Sequence, residues 1–106
     1  MTEKQIERRC INFYKMLGCE VVKFSQPHRA SQTRGIADLR VYHAKGTWWH
    51  EIKTPTGKQS EWQRKFQEMV ERYGETYIMG GIEAAVAQVN FLRIARFGQL
   101  PTKGAA

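Results

Sequence analysis

The sequence predicts an α/β fold in which a central mixed sheet of about four strands is flanked by helices, in the order αβββαβα. Apolar residues recur at helical spacing in residues 2–17, 61–73 and 82–96. Shorter segments rich in β-branched and aromatic residues lie between these helices and predict the strands. Helices and strands in this order suit a mixed sheet with helices on its faces.

Length and charge limit the organisation and the partners of the chain. Its 106 residues suit a single domain, which we place at residues 1–97, with a C-terminal tail at residues 98–106. Apolar residues make up 42% and charged residues 25%, as in ordinary soluble globular proteins. The net charge of +7 favours a polyanionic partner, although small basic proteins without such a partner are common.

Several classes of protein are disfavoured by the sequence. The first five residues are polar and no apolar run reaches membrane-spanning length, so we expect a cytoplasmic protein, in a bacterial or phage-infected cell, with no membrane partner. Cys10 and Cys19 do not form a Cys-x-x-Cys pair, and free thiols fit best. His28, His43 and His50 lack helical metal spacing, and no nucleotide-phosphate loop suggests an organic cofactor.

The first helix is predicted by its cap and its apolar stripe. Thr2 is a suitable N-cap, and Gln5 three residues on completes a capping-box pattern. The stripe consists of Ile6, Cys10, Phe13, Tyr14 and Leu17. Residues 19–25 then read as the first strand.

A hairpin is predicted at residues 37–43 and 47–53, with Lys45 and Gly46 in the turn. Side chains alternate between the two faces of a strand. One face of the first hairpin strand carries Asp38, Arg40 and Tyr42. One face of the second carries Thr47, Trp49, Glu51 and Lys53, whereas Ile52 points the other way into apolar packing.

The hairpin therefore brings together two acids and a lysine. Charged side chains are rarely buried without a partner, and a divalent cation is a natural partner for Asp38 and Glu51. Mg²⁺ and Mn²⁺ prefer carboxylate, carbonyl and water oxygens. Lys53 would then lie beside an attacking water or beside negative charge that develops on phosphorus. The alternative is a surface hairpin with scattered charges, a pattern that is common by chance.

The second half of the chain predicts a helix, a strand and a further helix. Ser60 is a good N-cap, with Gln63 at the capping-box position. The helix stripe is Trp62, Phe66, Met69, Val70 and Tyr73, and we expect its aromatic residues to anchor the core rather than to stack on bases. After a strand at residues 76–79, the last helix carries a wide apolar face, including Phe91, Ile94 and Phe97, which suggests a dimer.

The order Gly35-x-x-Asp38, Glu51-Ile52-Lys53, a Gly57 linker and Gln63 resembles the VRR-NUC branch of the PD-(D/E)XK nucleases. The resemblance covers residues 3–79 and implies a restriction-endonuclease-like core. It also implies that Asp38, Glu51 and the backbone carbonyl of Ile52 hold Mg²⁺ or Mn²⁺, and that Lys53 assists catalysis. The residue before Asp38 is often proline in the wider superfamily, whereas this chain has alanine, at a position that shapes the chain rather than doing chemistry.

The resemblance also implies two supporting side chains. A glutamine at the position of Gln63 commonly points at the active-site lysine, a water or the phosphate, in addition to any capping role. The first helix commonly carries a residue that reaches the metal site. Glu7 is the better match for this role, through water, and Glu3 is the alternative, although both also suit the positive end of a helix dipole.

The polar loop at residues 26–35 leads directly to Asp38 and is suited to bind a phosphate backbone. Arg29, Gln32 and Arg34 in this loop, together with Lys58 after the hairpin, are our candidate DNA-binding residues. In the resembling families this loop lines the DNA side of the active site. The alternative for each residue is a solvated loop position.

Together these features predict a metal-dependent, structure-selective DNA endonuclease. Free-standing domains of this size in the resembling families look like homodimers that cut branched DNA, so we expect resolution of four-way (Holliday) junctions. A monomeric flap or nicking endonuclease is one alternative. A non-catalytic DNA-binding module with a decayed nuclease site is another, although the intact Asp38, Glu51 and Lys53 argue against decay.

Overall fold

The computed structural model describes residues 1–24 and 33–96, and the predicted αβββαβα order is confirmed. The elements are α1 (Glu3–Met16), β1 (Glu20–Lys23), β2 (Leu39–His43), β3 (Gly46–Ile52), α2 (Glu61–Arg72), β4 (Tyr77–Gly80) and α3 (Ile82–Phe91). The sheet order is β1-β2-β3-β4. β2 is antiparallel to both β1 and β3, whereas β4 pairs with β3 in parallel, so the sheet is mixed. The proposed tail and the end of the predicted first strand lie outside the described residues.

The hairpin of β2 and β3 forms as predicted, except for its turn. Ala44 and Lys45 make the turn, whereas Gly46 already pairs with His43 as the first residue of β3. Arg40 lies opposite Trp49, and its guanidinium donates a hydrogen bond to the hydroxyl of Thr47 at 3.1 Å. The predicted alternation of faces is therefore confirmed, and it places the polar face of β2 and β3 on one side of the sheet.

The two faces of the sheet bury separate apolar clusters. The larger cluster packs side chains from α1 and α3 against β2 and β3: Ile6, Cys10, Tyr14, Cys19, Leu39, Val41, Trp48, Ile52, Ala85 and Val89. The smaller cluster, on the side of α2, contains Ala37, Phe66, Val70 and Tyr77. Both cysteines are buried free thiols, as expected. None of the helices described is long and apolar enough to cross a membrane.

A polar chain lies inside the larger cluster. The Tyr14 hydroxyl accepts a hydrogen bond from Nε1 of Trp48 at 3.2 Å and donates to Nδ1 of His50 at 2.7 Å. Nε2 of His50 donates to the carbonyl of Gly80 at 3.0 Å. Because a carbonyl oxygen only accepts, Nε2 carries the proton and the ring is neutral. Burial lowers the pKa of His50 to about 4.

Both predicted helix caps are present, but two expectations about apolar faces are wrong. Trp62 is 45% exposed and Tyr73 is 74% exposed, so neither anchors the core. The helix α3 ends at Phe91, which is 78% exposed, whereas Ile94 packs against the larger cluster instead of widening an exposed face. Spacing along a helix identifies a stripe, but the sheet covers only the part of that stripe that lies over it.

Candidate active site

Two carboxylates meet where β2 begins and β3 ends. Asp38 stands just before β2, and its Oδ2 accepts a hydrogen bond from the backbone N–H of Ile52 at 2.8 Å. This bond fixes the Asp38 side chain against the end of β3. The carboxyls of Asp38 and Glu51 are close enough to share a hydrogen bond when one of them is protonated. The predicted pairing of these two acids is thus present in the structure.

Glu51 is almost fully buried and only partly satisfied. Its side chain is 3% exposed, and its Oε2 accepts a hydrogen bond from Nε2 of Gln63 at 2.6 Å. Nζ of Lys53 lies 3.9 Å from the same oxygen. Within residues 1–24 and 33–96, the other oxygen, Oε1, is buried without a hydrogen-bond partner. A buried polar atom of this kind is rare in folded proteins and indicates a missing ligand or a functional role.

The electrostatics of the pair reflect this shortage of partners. Burial raises the pKa of Glu51, and the neighbouring charge of Asp38 raises it further, while Lys53 acts in the opposite direction. Burial also raises the pKa of Asp38, partly offset by the Ile52 N–H bond. The described protein groups therefore do not neutralise two negative charges at this point. A positive group between the carboxylates would favour their ionised forms.

Gln63 caps α2 as the sequence predicts, and its amide also reaches the candidate site, where it contacts Glu51 rather than the predicted lysine, water or phosphate. Its Oε1 accepts a hydrogen bond from the backbone N–H of Ser60 at 2.8 Å, which closes the capping box of α2. Its Nε2 points the other way and donates to Glu51. The amide thus ties the beginning of α2 to the end of β3, and the cap fixes the orientation of the group that contacts the carboxylate.

Gly35 brings the loop before Asp38 directly onto the backbone of α2. Its φ is +78°, a left-handed value that favours glycine. A Cβ atom at this position would come within 2.2 Å of the carbonyl oxygen of Trp62 and 2.8 Å of the backbone nitrogen of Gln63. Only a residue without a side chain allows this approach. The Gly35-x-x-Asp38 pattern therefore docks the loop on the same helix turn that supplies Gln63.

The first helix adds acidic side chains to the edge of the site. Glu7 is buried, and its Oε1 lies 3.6 Å from Nζ of Lys23. A cleft of about 210 Å³ is lined by Glu3, Lys4, Glu7, Asp38 and Ile52. Both candidate acids thus border the cleft that reaches Asp38. Within the described part of the chain, no three His, Cys, Asp or Glu side chains cluster tightly enough to hold a metal, so Asp38 and Glu51 form a pair rather than a trio.

Comparison with solved structures connects this arrangement to a known fold. A structure described as "VRR_NUC domain protein" matches this chain with a TM-score of 0.67 at 19% sequence identity. The match covers 94% of this chain and 95% of the other. This chain has the VRR-NUC fold. The predicted restriction-endonuclease-like core is thereby confirmed, whereas no protein-family model and no curated protein matches the sequence.

The candidate DNA-binding residues occupy different places on this VRR-NUC fold. The guanidinium of Arg34 lies over the ring of Trp62, 4.3 Å from its centroid. Lys58 is exposed in the loop between β3 and α2. Arg29 and Gln32 lie outside the described residues. Arg34 is thus the candidate that the structure places beside the helix turn of the site.

Sequence reasoning missed two residues that border this part of the VRR-NUC fold. Lys23, at the end of β1, is the ion-pair partner of Glu7, and its only sequence signal is a charge at a strand end. The ring of Trp62 contacts the guanidinium of Arg34, whereas the position of Trp62 in the apolar stripe of α2 indicated a core role. A signal for Trp62 is its position directly before Gln63, in the helix turn that approaches the carboxylates.

A divalent cation fits the donor set of this site. The carboxylates of Asp38 and Glu51 and the backbone carbonyl of Ile52 are oxygen donors, which Mg²⁺ and Mn²⁺ prefer. The partnerless Oε1 of Glu51 and the raised pKa values of both acids indicate that Lys53 alone does not supply enough positive charge for two carboxylates. The charge and ligand chemistry of these residues therefore support the cation predicted from the sequence.

Proposed function

We propose that this protein is a VRR-NUC-type endonuclease that hydrolyses DNA phosphodiesters with Mg²⁺ or Mn²⁺ as its cofactor. The observation that carries the proposal is the meeting of Asp38, Glu51, Lys53 and Gln63 at one end of β3, with one Glu51 oxygen lacking a partner. The net charge of +7 supports a polyanionic substrate. The VRR-NUC fold supports a nuclease-type domain.

Asp38, Glu51 and the carbonyl of Ile52 would hold the cation, which when bound would activate a water molecule and neutralise charge on the scissile phosphate. The protein sets the carboxylates in place beforehand. The Ile52 N–H holds Asp38, and the Gln63 amide holds Glu51. Because these groups are already ordered, little reorganisation is needed when substrate binds.

Lys53 supplies the positive charge that belongs to the protein itself. Its side chain is only 13% exposed, and its ammonium lies next to Glu51. In this position it would orient the nucleophilic water or stabilise the negative charge that develops on the phosphate. Glu7, with Lys23 beside it at the edge of the cleft, would support the site through water.

We further propose that the enzyme cuts branched DNA as a homodimer and resolves four-way junctions during recombination and repair. Two copies related by a two-fold axis would present two sites to a substrate that has two-fold symmetry itself. The exposed ring of Phe91, at the end of α3, supports an apolar contact between copies. This part of the proposal concerns substrate shape and is separable from the chemistry.

The test is cleavage of a labelled panel of four-way junction, flap, splayed-arm, nicked and linear duplex DNA, each with Mg²⁺, Mn²⁺ or EDTA. We expect paired, symmetric cuts in the junction, which EDTA abolishes. Asp38→Asn and Lys53→Ala should each reduce the rate by about 100-fold or more. Asparagine keeps an acceptor for the Ile52 N–H, so loss of activity would report the carboxylate rather than misfolding.

The outcomes separate the alternatives. Flap-selective cutting by a protein whose mass in solution equals one chain would keep the chemistry and remove the dimer. DNA binding without cleavage under any metal would indicate a binding module with a decayed site. A Lys53→Ala protein that cuts as fast as the wild type would remove Lys53 from the mechanism.

A further inference from the structure

One aromatic side chain beside the site has no part in the core. Trp62 lies in the first turn of α2 and is 45% exposed, although tryptophan buries a large apolar area when it packs inside a protein. Its ring contacts two cations, the guanidinium of Arg34 at 4.3 Å and the ammonium of Lys65 at 5.2 Å. The exposure of Trp62 is therefore combined with a specific set of charged neighbours.

The two cations differ in whether an acidic side chain pairs with them. Lys65 forms an ion pair with Glu61 at 3.7 Å, one helix turn away. Arg34 has no acidic partner among residues 1–24 and 33–96, and its guanidinium contacts the ring of Trp62. A stacked guanidinium uses its flat face for the ring and keeps its N–H groups free at the edge. These groups have the geometry that binds phosphate oxygens in pairs.

The position of Arg34 is fixed by its neighbours in the chain. Gly35 packs on the carbonyl of Trp62, so Arg34, the residue before it, is held close to α2. Gln63, the next residue along the helix, contacts Glu51. Consecutive helix residues point about 100° apart, so Trp62 and Gln63 place Arg34 and Glu51 on neighbouring sides of one helix turn. Arg34 thus lies at the helix turn that supplies Gln63 to Glu51.

We propose that Trp62 is a positioning residue that holds the guanidinium of Arg34 beside the carboxylate site, where it binds a phosphate of the substrate strand. This inference rests on the proposed function, since it names residues that bind DNA at the same site. The tryptophan acts through the arginine and does not contact the reacting atoms. Its contribution is to substrate binding, so it should appear in KM and not in kcat.

The test is the affinity of the full-length protein for a labelled four-way junction in EDTA, measured by fluorescence anisotropy over a series of salt concentrations. Arg34→Ala should weaken binding. The negative slope of log association constant against log salt concentration should become shallower by about 1, as expected for the loss of one phosphate contact. Trp62→Ala should weaken binding about two- to fivefold, the value of an exposed cation–π contact, and reduce the slope in the same direction. The double variant should bind no more weakly than Arg34→Ala alone.

Two further variants complete the design. Trp62→Phe keeps an aromatic face and should restore most of the affinity. Tyr73→Ala removes an even more exposed aromatic from the other end of α2 and should leave affinity and slope unchanged. With Mg²⁺, cleavage by Trp62→Ala should show a raised KM and a kcat close to that of the wild type.

Three outcomes would overturn the inference or its basis. If the wild type binds no DNA, the proposed function itself fails. If the wild type binds and cuts but Trp62→Ala binds equally well, the positioning role alone fails. If Trp62→Ala weakens binding with an unchanged salt slope, and does so equally in the Arg34→Ala background, the ring contacts a base directly and the positioning role is wrong.

Discussion

At the scale of single residues, Gln63 shows how one amide connects a helix cap to a candidate active site. Its oxygen accepts a hydrogen bond from the backbone N–H of Ser60, and its nitrogen donates a hydrogen bond to the carboxyl of Glu51. One atom of the amide thus binds a donor and the other binds an acceptor. An amide is the side chain that offers a donor and an acceptor on one rigid plane. A glutamate at this position would keep the cap and lose the donor to Glu51.

The contribution of this second contact can be measured against a matched residue in the same protein. Gln5 occupies the equivalent position in the capping box of α1 but, among the residues that the structure describes, has no bond to a carboxylate. Gln63→Ala and Gln5→Ala should each lower the free energy of unfolding by on the order of 1 kcal/mol or less. Only Gln63→Ala should also reduce DNA cleavage, by roughly tenfold, because Glu51 loses its orientation.

Equal cleavage rates for the two variants would show that Gln63 is only a cap. Thermal unfolding, monitored by circular dichroism, gives the change in the free energy of unfolding. The junction cleavage assay gives the change in activity. The comparison needs both measurements on the same protein samples.

At the scale of secondary-structure elements, the close approach of Gly35 to α2 joins the loop, the helix and the end of β3. The loop carries Arg34, the helix carries Gln63, and β3 carries Glu51, so these three elements meet around one backbone contact. When two backbones touch directly, there is no room for a side chain between them. The geometry of the site should therefore depend more on this glycine than on any other in the described chain.

Gly74 provides the control for this prediction. It also has a left-handed φ, +84°, but a Cβ there would meet nothing within 4 Å. Gly74→Ala should cost about 1 kcal/mol of stability from backbone strain alone. Gly35→Ala should cost at least about 2 kcal/mol more, because the loop must move away from α2, and it should weaken DNA binding as well. Chemical denaturation and anisotropy measure the two effects, and equal losses would mean that the loop does not dock as described.

At the scale of the whole molecule, the buried chain of Tyr14, Trp48 and His50 ties stability to pH. The pKa of His50 is about 4 in the folded state, below the ordinary value of 6.5. Between these values the unfolded chain binds a proton that the folded protein does not, so stability is fully present above pH 6.5 and is lost as the pH falls toward 4. Glu83 raises this pKa slightly by its charge, without cancelling the effect of burial.

We therefore expect wild-type protein to lose roughly 3 kcal/mol of stability from this group between pH 6.5 and pH 4. His50→Gln has no titrating ring and should lack this component. The measurement is urea denaturation at several pH values in EDTA, with the difference between the two proteins plotted against pH. Parallel curves would show that His50 does not titrate in this range.

The parts of the fold that could be predicted from the sequence are those set by local rules. Alternation along β2 and β3 correctly placed Asp38 and Glu51 near each other, and the capping patterns at Thr2 and Ser60 located both helix starts. These features depend on neighbours within a few residues, which the sequence shows directly.

The parts that could not be predicted depend on contacts between distant segments. The close approach of Gly35 to Trp62 joins residues 27 positions apart, and no local pattern records it. The exposure of Trp62 depends on how α2 packs against the rest of the protein. The buried ring of His50 is hydrogen-bonded to a hydroxyl from α1 that lies 36 residues away along the chain. The spacing of apolar residues along the sequence cannot predict these contacts between distant segments.

The partnerless oxygen of Glu51 also constrains how this protein can change during evolution. A buried carboxyl group with an oxygen that lacks a hydrogen-bond partner lowers the stability of the fold, so substitutions that remove it are among the most readily available stabilising changes. The same substitutions would destroy the proposed cation site. Selection for stability and selection for activity therefore act in opposite directions at this one position. A lineage that no longer needed the activity would be expected to lose Glu51 early, whereas retention of the acid is a cost that only a function maintains.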